Sequence, residues 1–210
     1  MEFGGGVTNN YISQSTIVSD GSTIKPGSGY YLYGNVQVKE FNKLYIKLGL
    51  QTAEKNYSVY RSDLLSQKSK NLYLILPIVL QVDLLQFGKI KLLGDVGLNV
   101  GYWCSRVIEG YVPDAFSASY ELLDGGEAIN RLSLAKYTII DDFLTNENRF
   151  ELNAQIGLQL QYRHSDKISP VLGVIFHNGL SSRSANEFMV TKTFNHTLIF
   201  SIGTQIHLHK

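Results

Sequence analysis

The sequence is poor in cysteine, in charge and in long hydrophobic runs. Cys104 is the only cysteine among 210 residues, which excludes an intramolecular disulfide. Charged residues make up 18% of the chain and the formal net charge is +1, so no nucleic-acid partner is expected. The longest nearly apolar segment, Leu72–Leu80, has about half of the roughly 20 residues that a membrane-spanning helix needs. An aromatic content of 11% argues against a disordered chain.

Alternation of apolar and polar residues is the strongest pattern that is present. From Phe150 to Arg163 apolar and polar residues alternate without interruption, whereas a helix would place Gln155 on the same face as Leu152. The pattern recurs, with varying regularity, in segments 3–17, 31–39, 43–51, 73–84, 90–101, 168–176 and 195–208. These segments predict about eight strands of roughly ten to fourteen residues.

Short and long connections alternate between the predicted strands. The short connections lie at 40–42, 85–88 and 164–166, and the long ones lie at 16–29, 53–70, 106–148 and 180–193. Alternate connections of an up-and-down barrel lie at opposite ends, so all tight turns share one rim, and an even number of strands places both termini there. We therefore predict an all-β, eight-stranded antiparallel transmembrane β-barrel with short periplasmic turns and long extracellular loops, built as one domain over 1–210.

The polar faces of the predicted strands carry mostly amides, hydroxyls and glycine, which suits the crowded interior of a narrow barrel. We expect the few charges on these faces to form a structural network in the lumen: Lys39, Lys47, Asp83, Lys91, Asp95, Glu151 and Arg163. The simplest hairpin register places Asp83 opposite Lys91 as an ion pair. Pro77 and Pro170 fall inside strands, where we expect a bulge or a strand end because proline has no N–H to donate.

Two further features bear on the membrane and on specificity. Aromatic residues cluster near the predicted strand ends, as in an interfacial girdle: Tyr30, Tyr45, Phe87, Tyr102, Trp103, Phe150, Tyr162 and Phe194. The acidic segment 106–148 is the expected carrier of any specificity, for a divalent cation or a basic partner. Within that segment, 120–123 and 128–137 favour a short helix or an extra hairpin.

Alternation alone leaves two other functions open. A soluble calycin-like barrel would bind an apolar small molecule in a lumen lined by Leu152, Ile156 and Leu160. A lipid-modifying outer-membrane enzyme would need a nucleophile, a base and an acid in one place, and His177, Ser181 and Glu187 are the available candidates. We expect no catalytic residues, because Gly179 stands where the His-x-Ser pattern of a deacylase has its serine. We expect no metal-binding residues and no cofactor, because the other histidines lack ligand spacing.

Three segments resemble a known family. Residues 73–80, with sequence YLILPIVL, resemble the "YLEIPLLLK" strand of PorT-like, porin-like small outer-membrane barrel proteins of Bacteroidota. Residues 93–102 are similar to the glycine-spaced "aG…GY" strand of that family, and 177–181 are similar to its "GLt" strand ending. The resemblance implies an eight-stranded barrel in the outer membrane of a Gram-negative cell, with a cleaved signal peptide.

The resemblance also carries a functional expectation. The name-giving members are implicated in type IX secretion and gliding, which implies a scaffold or accessory subunit of an envelope complex without enzymatic activity. The expected partners are outer-membrane lipid and other envelope proteins that bind at the extracellular loops or the periplasmic turns. Residues 1–6 contain neither a basic region nor an apolar region, which is expected either of a cytoplasmic protein or of a mature form without its leader. The strand pattern favours the mature form.

Overall fold

A computed structural model describes residues 1–14, 22–41, 43–61, 65–122, 128–140, 148–182 and 193–207. These residues form ten strands, all antiparallel to their neighbours. The strands are β1 (Glu2–Gln14), β2 (Ser22–Phe41), β3 (Leu44–Glu54), β4 (Tyr57–Arg61), β5 (Leu65–Phe87), β6 (Ile90–Leu122), β7 (Ala128–Ile140), β8 (Phe150–Tyr162), β9 (Ile168–Gly179) and β10 (Thr193–Ile206). The described residues contain no helix long and apolar enough to cross a membrane.

Eight of the strands close into a ring. Its order is β1, β2, β3, β5, β6, β8, β9 and β10, and β10 pairs with β1 over their whole lengths. β3 and β4 share one position in the ring, because both strands lie between β2 and β5. β7 pairs with the far part of β6 and extends it as a hairpin. The predicted eight-stranded antiparallel barrel is therefore confirmed.

The two rims of the barrel differ as the connection lengths predict. The chain reverses tightly between β2 and β3, between β5 and β6 and between β8 and β9, and we call this end the turn rim. Gly88 supplies the positive φ of 55° in the second turn, a conformation that glycine adopts without steric cost. Met1 and the end of β10 lie here as well, and the Met1 amine donates to the Ile206 carbonyl at 2.8 Å.

The opposite end, the loop rim, holds more regular structure than the sequence predicts. The predicted loop 53–70 contains β4 and the start of β5, and the predicted loop 106–148 contains most of a β6–β7 hairpin. Of the two alternatives for that segment, the hairpin is correct. These segments lack clean alternation, but they pair with extended neighbours that satisfy their backbone groups.

Two register expectations need correction. Lys91 lies opposite Gln86 because a two-residue turn pairs Phe87 with Ile90, and Asp83 lies opposite Leu93 because a bulge between Asp83 and Leu85 shifts the ladder by one residue beyond it. Pro77 pairs with Asn99 in β6 without any shift, so the expected bulge there is wrong. On its other side, the ladder between β5 and β3 omits Leu76 and Pro77 and resumes in the same register, so the proline interrupts local pairing only.

Pro170 lies near a strand end, as expected. It is the third residue of β9, and the ladder with β8 begins at the following residue, Val171. Its missing N–H therefore falls where pairing with β8 has not yet begun.

The polarity of the barrel is that of a membrane protein. Gln155 and Gln159 face the lumen and are 4% and 3% exposed, whereas Ile156 faces outward and is 62% exposed. Leu152 and Leu160 share the outer face. The alternative of a soluble calycin-like barrel is therefore wrong, because its apolar ligand would meet a lumen of amides.

Glycines make room for tyrosines inside the lumen. Tyr33 pairs with Gly4, which pairs in turn with Gly203, so the three residues form one row across β2, β1 and β10. A Cβ at Gly4 would lie 2.7 Å from the Tyr33 ring, and one at Gly203 would overlap the Tyr33 hydroxyl. Large and small side chains thus alternate around the ring and fill its interior.

This packing predicts opposite outcomes for two neighbouring glycines of β6. A Cβ at Gly97 would collide with the Ile78 carbonyl oxygen and lie 2.8 Å from the Val79 Cα, whereas one at Gly101 meets nothing closer than 3.7 Å. Gly97→Ala should lower the free energy of unfolding by about 1–3 kcal/mol, because backbone atoms must move. Gly101→Ala, the matched control, should be neutral in urea unfolding from lipid vesicles. Equal midpoints for the two variants would contradict this packing.

Candidate functional site

A buried lysine organises the half of the lumen nearer the turn rim. Lys47 on β3 places its Nζ 2.8 Å from Glu2 Oε2 and 3.9 Å from Asp95 Oδ2, and it donates a 3.3 Å hydrogen bond to Gln159 Oε1. All four side chains are almost completely buried. The lysine therefore lies between a carboxylate from β1 and one from β6, and its contacts link β3 to β1, β6 and β8.

Glutamines complete the cluster around Lys47, Glu2, Asp95 and Gln159, which we call the lower network. Gln81 donates from Nε2 to Asp95 Oδ1 at 2.8 Å and to Gln159 Oε1 at 3.0 Å. Gln37 extends it, donating to Gln81 and accepting from Gln205 at 3.0 Å. Buried charges are tolerated only when their remaining lone pairs and protons are hydrogen-bonded, and the amides provide those partners.

The turn rim carries an outer ion pair and a polar cavity of about 320 Å³. Lys91 Nζ lies 3.3 Å from Asp83 Oδ2, which also accepts from the Tyr45 hydroxyl at 3.3 Å. The ion pair expected from the sequence is present, although the two residues are diagonal rather than directly opposite.

Two members of the expected lumen network stand apart. Arg163 is 62% exposed and binds Asp166 at 2.8 Å, so it lines the polar cavity at the turn rim and does not reach the buried network. The backbone of Lys39 lies in β2, beside the bulge at Gln37. Its side chain is not among those that the structure describes.

A second ion pair lies in the half of the lumen nearer the loop rim. Lys55 forms a short salt bridge with Glu151, and both side chains are buried. Asn195 donates from Nδ2 to Glu151 Oε2 at 2.6 Å and to the Tyr73 hydroxyl at 3.3 Å. The Lys55 ammonium also lies 4.8 Å from the centre of the Tyr73 ring. The pair thus joins β8 and β10 to the segment between β3 and β4.

Stacked aromatic rings fill the lumen beside these networks. Tyr73 and Trp103 stack with centroids 5.9 Å apart, and Tyr31 and Tyr33 stack at 5.4 Å. Trp103 is completely buried, so the expectation that it belongs to the outer girdle is wrong. Its position continues the inward alternation of β6, and the girdle instead includes exposed rings at both ends of the strands: Tyr30, Phe87, Tyr102, Phe150 and Tyr162.

The enzyme candidates do not assemble into a described site. His177 is completely buried against the lumen rather than at the rim, and neither ring nitrogen has a hydrogen-bond partner among the described residues. The Ser181 hydroxyl instead accepts the Leu152 N–H at 2.8 Å. Glu187 lies outside the described residues. Within the described part of the chain, no group of three acidic, histidine or cysteine side chains is arranged to hold a metal.

Two members of the lumen networks were missed from the sequence. Glu2 lies in the strand with the weakest alternation, at the very start of the chain. Lys55 was assigned to a loop, yet Gln51, Ala53 and Lys55 continue the inward face of β3. Extending that alternation by two residues would have identified the partner of Glu151.

Comparison with solved structures finds barrels of similar form. The outer membrane protein OprG from Pseudomonas aeruginosa matches with a TM-score of 0.51 and 14% identity, over 100% of this chain and 95% of that one. Neisserial surface protein A matches with a TM-score of 0.46 and 10% identity, over 99% and 96% of the two chains. Ail from Yersinia pestis matches with a TM-score of 0.40 and 11% identity, over 97% and 95%. No protein-family model and no curated protein matches this sequence.

The likeness to OprG shows an outer-membrane barrel fold, and the apolar side chains on the outer face of the barrel agree with it. Closure of the eight-stranded ring leaves no strand edge unpaired within the ring, and an apolar outer face around a charged lumen is suited to lipid rather than to water. The chain is an integral outer-membrane β-barrel. The loop rim is then the extracellular end, and the turn rim is the periplasmic end.

Proposed function

We propose that this chain is a non-enzymatic and non-conducting barrel that serves as a scaffold or accessory subunit of an envelope complex. The observation that carries the proposal is the filled lumen. Ion pairs centred on Lys47 and Lys55 cross it at two levels, and the aromatic stacks of Tyr73 with Trp103 and Tyr31 with Tyr33 occupy its walls. Such an interior supports a structural role rather than passage of solutes.

Extended strands at the loop rim offer a surface for a protein partner. They form a sheet that we call the extracellular wall, made of residues 22–26, 57–61, 65–70, 107–122 and 128–140. The β5–β6 ladder ends at Ser66 and Tyr111, and beyond it the described pairing of β6 is with β7 alone. A projecting hairpin of this kind supports an adhesive or scaffolding role. The PorT-like resemblance stays a prediction and favours a secretion-associated complex.

The lumen predicts the electrical behaviour of the protein. Reconstituted into planar lipid bilayers, the full chain should insert without stepwise conductance, because crossing ions would have to displace paired buried charges. Protein-free bilayers give the baseline, and heat-modifiable migration on gels reports that the inserted protein is folded. Reproducible ohmic steps from folded protein would contradict the proposal.

A trimmed hairpin tests the scaffold role itself. Joining Tyr111 to Lys136 through an Asn-Gly turn removes a hairpin that lies beyond the β5–β6 ladder. After crosslinking in native membranes, we expect the full chain to recover a defined envelope protein that the trimmed chain recovers at least roughly tenfold less. Equal recovery by both folded proteins would exclude the hairpin as the binding surface. Altered lipid A chemistry after incubation with purified protein would contradict the non-enzymatic role.

A further inference from the structure

Lysines gather on the outer face of the extracellular wall. Lys25 on β2, Lys68 and Lys70 on β5 and Lys136 on β7 all belong to this cluster, which we call the lysine patch. Lys25, Lys68 and Lys136 are exposed, and Lys70 is half-buried. Five strands, β2 and β4 to β7, build the surrounding sheet, so the positions of the lysines are fixed by backbone pairing rather than by a loop.

Strand register shows that the patch faces outward. Lys25 pairs with Ser58, Ser58 pairs with Lys68, and Lys68 pairs with Glu109. Directly paired residues project to the same face of a sheet. The neighbouring residue Ser69 is completely buried on the inner face, so the row that contains Lys68 projects away from the barrel axis.

Two tyrosines belong to the same surface. Lys25 Nζ lies 4.6 Å from the centre of the exposed Tyr60 ring. Tyr111 is 44% exposed and pairs directly with Lys136. Both tyrosines pair with Ser66, two residues beyond Lys68 on β5, so their rings border the patch on the side away from the girdle.

The patch lies above the apolar band of the barrel. On β5 the outward apolar residues run up to Leu74, which pairs with the girdle residue Tyr102, and then to Leu72. At about 3.3 Å per residue and a tilt of about 40°, Lys70 begins about 10 Å above the girdle, Lys25 and Lys68 about 15 Å, and Lys136 about 20 Å above it. These backbone positions lie above the hydrocarbon, and the long lysine side chains can extend from there toward the headgroup layer.

The charge balance of the patch is positive. Lys70 is neutralised by Glu109, whose carboxylate lies 2.9 Å from its Nζ. The hydrogen bond from Lys70 lowers the pKa of Glu109, and the charges of Lys136 and Lys68 lower it further. The carboxylate of Glu54, at the end of β3, accepts from Asn56 at 3.0 Å. Among the described residues, no salt bridge involves Lys25, Lys68 or Lys136, so three cations remain for an external anion.

We propose that the lysine patch binds the phosphate groups of a glycolipid in the outer leaflet of the membrane. The acyl chains of that lipid would lie against the apolar face of β5 and β6 directly below, while Lys25, Lys68 and Lys136 contact the phosphates. Continuity between the apolar face and the patch favours a membrane lipid over a soluble anion, because a lipid uses both surfaces at once. This inference does not depend on the proposed scaffold role.

Native mass spectrometry of the full-length protein in detergent tests the proposal directly. Titration with lipid A that carries two phosphates should give a saturable adduct. Lys25→Gln/Lys68→Gln/Lys136→Gln should bind it at least roughly tenfold more weakly, since each lysine near an anionic surface contributes to binding. Lipid A stripped of its phosphates should bind the unsubstituted protein as weakly as the variant binds the intact lipid.

Matched variants separate position from charge. Lys43→Gln/Lys89→Gln/Lys167→Gln removes the same charge from the periplasmic turns and should leave the affinity unchanged, whereas arginine at the three patch positions should preserve it. All of these lysines are exposed, so each variant should show the heat-modifiable migration of the folded barrel. Equal affinity of the glutamine patch variant and the unsubstituted protein, equal binding of dephosphorylated lipid, or competition by inorganic phosphate alone would overturn the proposal.

Discussion

Lys47→Met should destabilise the barrel by about 3–5 kcal/mol, the cost expected when one partner of a buried ion pair is removed. The Lys47 ammonium lies 2.8 Å from Glu2 and 3.9 Å from Asp95, and all three side chains are buried. Without the lysine, two carboxylates would share a closed space with no cation between them. Urea unfolding from phospholipid vesicles, followed through the fluorescence of Trp103, measures the loss.

Two further variants identify the origin of this loss. Lys91→Met removes a cation whose partner Asp83 lies at the partly hydrated periplasmic mouth, so its effect should be much smaller. Adding Glu2→Gln to Lys47→Met should recover part of the lost stability, because one of the uncompensated charges is removed. If Lys47→Met and Lys91→Met had equal effects, the central role of Lys47 in the lower network would be wrong.

Ile156→Arg should cost about 2–4 kcal/mol, the penalty measured for arginine at the midplane of a membrane barrel. Ile156 lies midway along β8 between the girdle rings Phe150 and Tyr162, and its side chain faces lipid. The cation would have to reach water past several residues of apolar surface. The same vesicle-based urea titration gives the change in free energy.

Leu152→Arg on the same strand and face is the control for depth. Leu152 lies two residues from Phe150, near the extracellular interface, where the expected cost falls to about 0–1 kcal/mol. A larger loss at Leu152 than at Ile156 would show that the bilayer midplane has been misplaced along β8.

Periodicity carried most of what could be predicted of the fold. Alternation in Phe150–Tyr162 predicts both that the segment is a strand and which residues share a face, because successive side chains of a strand point to opposite sides. Alternation alone does not predict which face points inward. The sparse charge on the polar face favours the lumen for that face, since a face exposed to water would carry more charged residues.

The sequence was less informative where pairing depends on a neighbouring strand. The bulge beside Asp83 and the continuation of β3 into β4 change the register without changing composition, so the residues alone do not reveal them. Trp103 was assigned to the girdle because aromatic rings near strand ends are common at interfaces. Its inward position follows from the alternation through Asn99 and Gly101, which was the better guide.

The buried charges were only partly predictable for a related reason. Lys47, Asp95 and Glu151 lie on strands with regular alternation, and that alternation alone predicts that their side chains point into the lumen. Their partners Glu2 and Lys55 come from a weak first strand and from a segment assigned to a loop. Ion pairing between strands distant in sequence depends on closure of the ring, which a local pattern does not encode.

The apolar face of the barrel meets lipid, and the polar face fills the lumen. Fluorescence quenching by lipids brominated on their acyl chains tests this arrangement most directly. Trp103, the only tryptophan, lies inside the barrel and should be quenched weakly. In a Trp103→Phe background, Ile156→Trp should be quenched strongly, and most by bromine near the ends of the chains. Strong quenching of Trp103 together with weak quenching at position 156 would contradict the account.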